Sequence, residues 1–229
     1  MTQSLHILRA ALFATLLVGA VGLSISAAIM DKLPGDVAVT QWLQGYQETW
    51  FVDLMRTFSQ IGNTGPMLLL MLAAGMVLYA RAHRAQALNL AFVALAATMV
   101  PVLKETVDRP RPTADAIYVL SEVSGHSFPS GHAFLAITFF GAMFYLAPRL
   151  CGAGAKFVLP LRLFLATMIL GIGLSRIYLG AHWLSDVIGG FVIGGLALYA
   201  AVELFHLAQR RWSGSSRANA SLDNLPTPG

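Results

Sequence analysis

Six apolar runs limit what this chain can fold into. They extend from about Ile7 to Met30, Pro66 to Ala80, Ala87 to Leu103, His132 to Ala147, Phe157 to Ser175 and Asp186 to Leu207. A helical membrane crossing needs about 17–25 residues. The second and fourth runs are near 15 residues, so flanking residues that face protein or water are expected to complete them. Only 11% of the 229 residues are charged and 56% are hydrophobic, against about 25% charged in a soluble domain. A soluble domain of this length could not bury so much apolar surface. The first run resembles a signal peptide with Arg9 as a thin basic flank, but it is too long and lacks a small-residue cleavage site. We read it as a retained anchor. The expected fold is all-α, an integral membrane bundle of six transmembrane helices.

Loop charges orient the bundle. With the N-terminus in the cytoplasm, the inner segments carry Arg9, Arg81, Arg84, Arg149, Lys156, Arg162, Arg210, Arg211 and Arg217. The outer segments carry Lys32, Arg56, Lys104, Arg109, Arg111 and Arg176. The excess of Lys and Arg on one side favours both termini inside. A net charge of +4 raises the question of nucleic acid, but the cations form no single basic patch and topology accounts for most of them. A bacterial inner membrane is the expected location, with the polar motifs on the periplasmic face.

Between the first two runs, Val39, Leu43, Tyr46, Trp50, Leu54, Phe58 and Ile61 recur at three- and four-residue steps. That spacing is the stripe of an amphipathic helix or helix pair in the first outer loop. Trp42 and Trp50 suit a headgroup boundary. The segment reads equally as a lid beside a lipid or as a helix packed on the bundle. Residues 1–212 form one expected membrane domain, and 213–229, rich in Ser, Asn and Pro, a disordered cytoplasmic tail. The one cysteine, Cys151, permits neither an internal disulfide nor a cysteine-type zinc site.

Three short polar blocks lie at the edges of the apolar runs, and the predicted topology puts all three on one face. The first holds Lys104, Arg109, Arg111 and Pro112. Pro110 and Pro112 stop helix continuation and aim Arg111. Arg suits bidentate phosphate contact and Lys a point charge, while Arg109 reads as a helper or a surface charge. The second is Pro129-Ser130-Gly131-His132. A helix starting there offers free N–H groups to an anion. Gly131 permits close approach, and His132 sits where a proton can pass to a leaving oxygen. Ser130 is equally an ordinary helix cap, and His126 reads as rim. The third is Ser175-Arg176, then His182 and Asp186. Their spacing of four residues predicts one helix face, where the carboxylate would fix the imidazole tautomer and leave the opposite nitrogen free to attack phosphorus. The plainer reading is a His–Asp pair that caps the sixth run.

The pattern Lys104-x6-Arg111-Pro112, Pro129-Ser130-Gly131-His132 and Ser175-Arg176-x5-His182-x3-Asp186 resembles the signature of the type 2 phosphatidic acid phosphatase superfamily, in order and with every core position matched. The resemblance implies a metal-independent phosphatase with a phosphohistidine intermediate and no cofactor. His182 would be the nucleophile, Asp186 its orienter and His132 the acid and later the base. Lys104, Arg111, Arg176, Ser130 and Gly131 would hold the phosphate. Six spans with the motifs on the outer face resemble the superfamily's membrane branch, so the expected partners are a lipid phosphate or pyrophosphate and the bilayer. Undecaprenyl pyrophosphate, phosphatidylglycerophosphate, phosphatidic acid and lipid A are the candidate substrates. A phosphotransferase would share every motif. A lipid transporter would instead place charge at mid-depth or break helices repeatedly, which the sequence does not do.

Overall fold

The computed structural model describes residues 2–152 and 154–223. Its elements are α1 (Thr2–Ile29), α2 (Asp36–Gln44), α3 (Thr49–Ile61), α4 (Thr64–Ala80), α5 (Arg84–Ala96), α6 (Met99–Val107), α7 (Gly131–Cys151), α8 (Val158–Tyr178) and α9 (Leu184–Asp223). Among the described residues, five segments are long and apolar enough to cross a membrane: Ala10–Ile29, Arg84–Val107, Gly131–Cys151, Val158–Tyr178 and Leu184–Leu207. A sixth arises when α3 and α4, bent by 56°, are taken as one broken span. These correspond to the six apolar runs. The fourth run is longer than its apolar core suggested, since α7 continues through Pro148 to Cys151. The third is interrupted: α5 ends at Ala96 and α6 restarts at Met99. Pro101 accounts for this, because its ring crowds the carbonyl four residues earlier, at Ala97. The backbone of 213–223 continues α9; 224–229, the rest of the tail expected to be disordered, lie outside the described residues.

The helix α7 is the centre of the bundle. Ala133, Phe134, Leu135, Ala136, Phe139, Phe140 and Ala142 are all buried, and the helix packs along α8 and α9 and touches α4 and α5. Lipid tails are as apolar as leucine, so helix contact in a membrane depends on close packing, which small residues permit. Gly190 shows this at the start of α7: a Cβ there would lie 2.6 Å from the Ser130 carbonyl oxygen and 2.9 Å from the Ala133 Cβ. Gly190→Ala is therefore expected to push α9 off the Ser130 turn and destabilise the chain by about 1–3 kcal/mol. Thermal unfolding in detergent checks this against Gly195→Ala, where the added methyl meets open space and no such loss is expected.

The first loop is a helix pair, but its packed face differs from the expected stripe. Met55 is buried against Tyr178 and Leu179, with Leu43, Phe51, Val52 and Phe58 around them. Trp42, Tyr46, Trp50 and Leu54 are exposed. The three- and four-residue spacing mixed inward positions with aromatic positions suited to a membrane boundary. Gln44 ties α2 to its surroundings, donating to the Tyr118 carbonyl at 2.6 Å and the Tyr178 carbonyl at 2.8 Å, and accepting from the Tyr118 N–H at 3.0 Å. The long 108–130 connection is thus pinned between α2 and the end of α8.

Candidate active site

The three blocks converge where α6 and α8 end and α7 and α9 begin. Asp108 adopts a left-handed conformation, φ 52°, and terminates α6 so that the Pro-rich segment turns across the end of the bundle. Lys104, in the last turn of α6, donates to the His126 carbonyl at 2.6 Å. His126, expected as rim, contacts Asp108 at 2.7 Å and Glu105 at 3.3 Å; it braces the segment that Lys104 holds. Arg111 donates from Nε to the Gly125 carbonyl at 2.9 Å and from Nη1 to the Ala181 carbonyl at 2.7 Å. The same Nη1 lies 3.4 Å from Nε2 of His182.

His182 and Asp186 do not share a helix face. The left-handed Gly180, φ 67°, turns the chain out of α8, and α9 begins only at Leu184. His182 therefore lies in the turn and Asp186 in the first helical turn. Asp186 reaches back, accepting from the Trp183 N–H at 2.8 Å, as the acidic member of a capping box does. The same Oδ2 accepts a short bond from the Ser127 hydroxyl and stands 3.6 Å from His182 Nδ1. That separation is a close approach and not a formed hydrogen bond. The imidazole is thereby oriented with Nδ1 toward the carboxylate and Nε2 toward Arg111. Burial pushes the His182 imidazole down to about 4, with Lys104 and Arg111 lowering it further and Asp186 opposing. At neutral pH the ring is uncharged.

Ser130 precedes α7 but makes no side-chain cap. It is fully buried, its backbone N–H donates to the Asp186 carbonyl at 3.0 Å, and its Oγ has no partner among the described residues. A buried hydroxyl without a partner costs free energy unless something else satisfies it. Gly131 opens α7, and a Cβ there would meet nothing nearer than Val100 at 3.6 Å. The protein itself does not require glycine at this position. Arg176, expected just outside the fifth run, is inside the last turn of α8 and 3% exposed. It donates a short bond to the Ser59 hydroxyl, while its Nε has no partner among the described residues. His132 meets Asn63 Oδ1 through Nε2 at 3.0 Å. His132 and Arg176 form one side of a cavity of about 380 Å³ whose other walls include Ser59, Asn63 and Arg56.

All eight predicted positions thus belong to one end of the bundle. The sequence reading had no place for Ser59, Asn63 or Ser127, and it left Arg109 as a helper or surface charge. Arg109 is 1% exposed and paired with Asp186 at 2.6 Å. A signal for it was present: an Arg flanked by Asp108 and Pro110 cannot follow α6 outward and must turn with the chain. Ser59 and Asn63 flank the bend between α3 and α4, which no local pattern links to residues 132 and 176.

Comparison with known proteins gives the family and the fold. The chain is 28% identical over 172 residues to phosphatidylglycerophosphatase B of Bacillus subtilis (strain 168), covering 74% of this chain and 82% of that protein. It is 33% identical over 134 residues to a lipid A 1-phosphatase of Rhizobium etli, covering 52% of this chain and 53% of that protein; it spans about half the length of that relative. Among solved structures, the fold is shared with the transmembrane PAP2-type phosphatidylglycerolphosphate phosphatase of Bacillus subtilis (TM-score 0.69, 24% identity, 85% of this chain and 94% of that one). It is also shared with Aquifex aeolicus LpxE (TM-score 0.59, 20% identity, 76% and 98%). The PAP2 superfamily model matches residues 86–210, which hold all three blocks, and the chain belongs to the PAP2 superfamily.

Proposed function

We propose that this chain is a membrane lipid phosphatase that works through a phosphohistidine at His182, without a metal, on the periplasmic face of a bacterial inner membrane. The observation that carries the reading is His182 held with Nε2 toward Arg111, at the same end of the bundle as the buried Ser130 Oγ and Arg176 Nε, which have no partner among the described residues. The His182 Nε2 lone pair attacks phosphorus and forms the P–N bond as the P–O bond to the lipid breaks. His132 gives its proton to the leaving oxygen. In the second half, His132 takes a proton from water, the resulting oxygen attacks phosphorus, and the P–N bonding pair returns to Nε2. Asp186 stays ionised and steadies the positive charge on the ring. Lys104, Arg111 and Arg176, with Ser130 and the Gly131 N–H, hold the non-bridging oxygens where negative charge is greatest. Residues 1–212 would form this domain and 213–229 a cytoplasmic tail.

The relatives' names suggest a phosphatidylglycerophosphate-like monoester or the 1-phosphate of a lipid A-like glycolipid; phosphatidic acid and a polyprenyl pyrophosphate are candidates because the same phosphate grip would read them. Release of inorganic phosphate from this panel in detergent, under excess chelator, tests the reading. Metal-free release from at least one lipid is expected, and none from any would refute it. The exposed Trp42 and Trp50 on α2 and α3 suit a wall along which a lipid reaches the cavity. Trp42→Ala and Trp50→Ala are expected to raise KM for long-tailed lipids more than for short-tailed ones. An equal rise for both would sink the access role.

A further inference from the structure

Arg109 joins two buried carboxylates on different helices. Its Nη1 donates to Asp186 Oδ1 at 2.6 Å and to Ser185 Oγ at 2.7 Å, its Nη2 donates to Asp36 Oδ2 at 2.8 Å, and its Nε donates to the Asp31 carbonyl at 3.3 Å. Asp36, the first residue of α2, is 1% exposed and grips the start of α9 directly. Its Oδ1 accepts from the Ser185 N–H at 2.9 Å and its Oδ2 from the Ser185 hydroxyl at 2.8 Å. The Leu33 N–H completes its shell at 2.7 Å. None of these groups faces the cavity that His132 and Arg176 line.

The trio addresses a geometric need. The terminal torsion of an aspartate is broad; Ser127 and the Trp183 N–H hold one oxygen of Asp186, and an anchor on the other oxygen narrows the torsion further. Asp186 Oδ2 is the oxygen toward His182, and Oδ1 is held by Arg109. A guanidinium suits this because its rigid fork spans two carboxylates at once, as an ammonium cannot. Asp36 in turn prevents the fork from rotating away.

We infer that Asp36 and Arg109 are positioning residues for the nucleophile: Asp36 fixes the Arg109 fork, and Arg109 fixes the Asp186 rotamer that aims His182. This rests on the reading of His182 as the group that attacks phosphorus. It makes α2 part of the reaction machinery, acting through three linked side chains and touching no substrate.

The test compares full-length wild type with Asp36→Asn, Arg109→Lys and the double variant, using a short-chain phosphatidic acid in detergent micelles and inorganic phosphate as the competing ligand. Each single change is expected to lower kcat by about 10- to 100-fold, the scale of a small misplacement of a reacting group. KM and the inhibition constant of inorganic phosphate are expected to stay within about twofold, because the phosphate grip is untouched. The double variant is expected to fall well short of the product of the two single losses, since Asp36 acts mainly through the Arg109 fork it shares with Asp186. KM and the phosphate constant rising together with the loss of kcat, or losses that multiply in the double variant, would overturn the inference in favour of a merely structural staple. If Asp36→Asn does not fold, Asp36→Glu keeps the charge and shifts the carboxylate by one methylene. A lowered kcat in a folded Asp36→Glu supports the inference and an unchanged one overturns it. His182→Ala that still releases phosphate overturns the functional reading and this inference with it. Loss in His182→Ala with unchanged kcat in Asp36→Asn overturns the inference alone.

Discussion

Replacing His182 with alanine is expected to lower phosphate release from every lipid substrate by at least about 10⁴-fold, because the nucleophile of a covalent mechanism acts as one unit with its partners. The fold should survive. The His182 N–H still donates to the Arg176 carbonyl at 3.1 Å, and Asp186 keeps Arg109, Ser127 and the Trp183 N–H as donors. No buried charge is orphaned, so the unfolding temperature in detergent should stay within a few degrees of wild type. Asp186→Ala lacks that protection: it takes the acceptor from the Ser127 hydroxyl, the Trp183 N–H and one arm of Arg109 together, and each buried donor left unsatisfied costs about 1–3 kcal/mol. The measurement is steady-state release with chelator present, paired with a melting curve. A folded His182→Ala chain that retains activity would sink the histidine mechanism.

The same residue sets a pH expectation. The unfolded imidazole titrates near 6.5, and in the folded chain burial lowers His182 to about 4. The attacking form is the neutral one, so its population is nearly complete at pH 6 and falls only as pH approaches 4. No acid limb near 6.5 in kcat/KM should belong to this group. A phosphate monoester has its own ionisation near 6, so a limb there should move when the substrate is changed for one of different acidity. A limb fixed near 6.5 for all substrates would contradict the buried, neutral nucleophile.

Much of the site was legible because phosphate chemistry demands particular residue types. Lys104, Arg111, Ser130, His132, Arg176, His182 and Asp186 announce themselves by charge and by position at the ends of apolar runs, and the structure gathers them. What escaped was the support around them. Ser127 and Ser59 are single hydroxyls with no local signature; their importance comes from Asp186 and Arg176, 59 and 117 residues away. The His182–Asp186 spacing suggested a shared helix face, yet Gly180 starts a turn that delays α9, and the pair meets across a helix start instead. Periodicity also misled at α2 and α3. In a membrane protein an aromatic can face lipid, water or protein, so Trp42, Tyr46 and Trp50 fell on the apparent stripe while staying exposed. Conversely, Arg109 read as a helper or a surface charge and Asp36 carried no signal of its own, yet both are nearly inaccessible.

His132→Gln separates the two chemical roles assigned to that residue. The amide keeps a polar group opposite Asn63, which His132 meets at 3.0 Å, and fits beside Gly62, where the ring already sits close enough that a Cβ would lie 3.0 Å from its Cδ2. It cannot deliver a proton. With a lipid phosphate, whose leaving alkoxide is strongly basic, kcat is expected to fall by about 10²–10⁴-fold, the usual contribution of general acid catalysis. An aryl phosphate leaves without help from an acid, so formation of the phosphohistidine should largely recover. The second half still needs a base to activate water and should remain slow. The expected signature is therefore a stoichiometric burst of phenol followed by a slow steady state, with acid-labile phosphate retained on the folded protein and absent in the His132→Gln/His182→Ala double variant. A steady state restored in full by the aryl substrate would show that His132 serves only as the acid. No burst and no recovery would show that it acts instead by holding the substrate, and phosphate binding would then weaken in proportion.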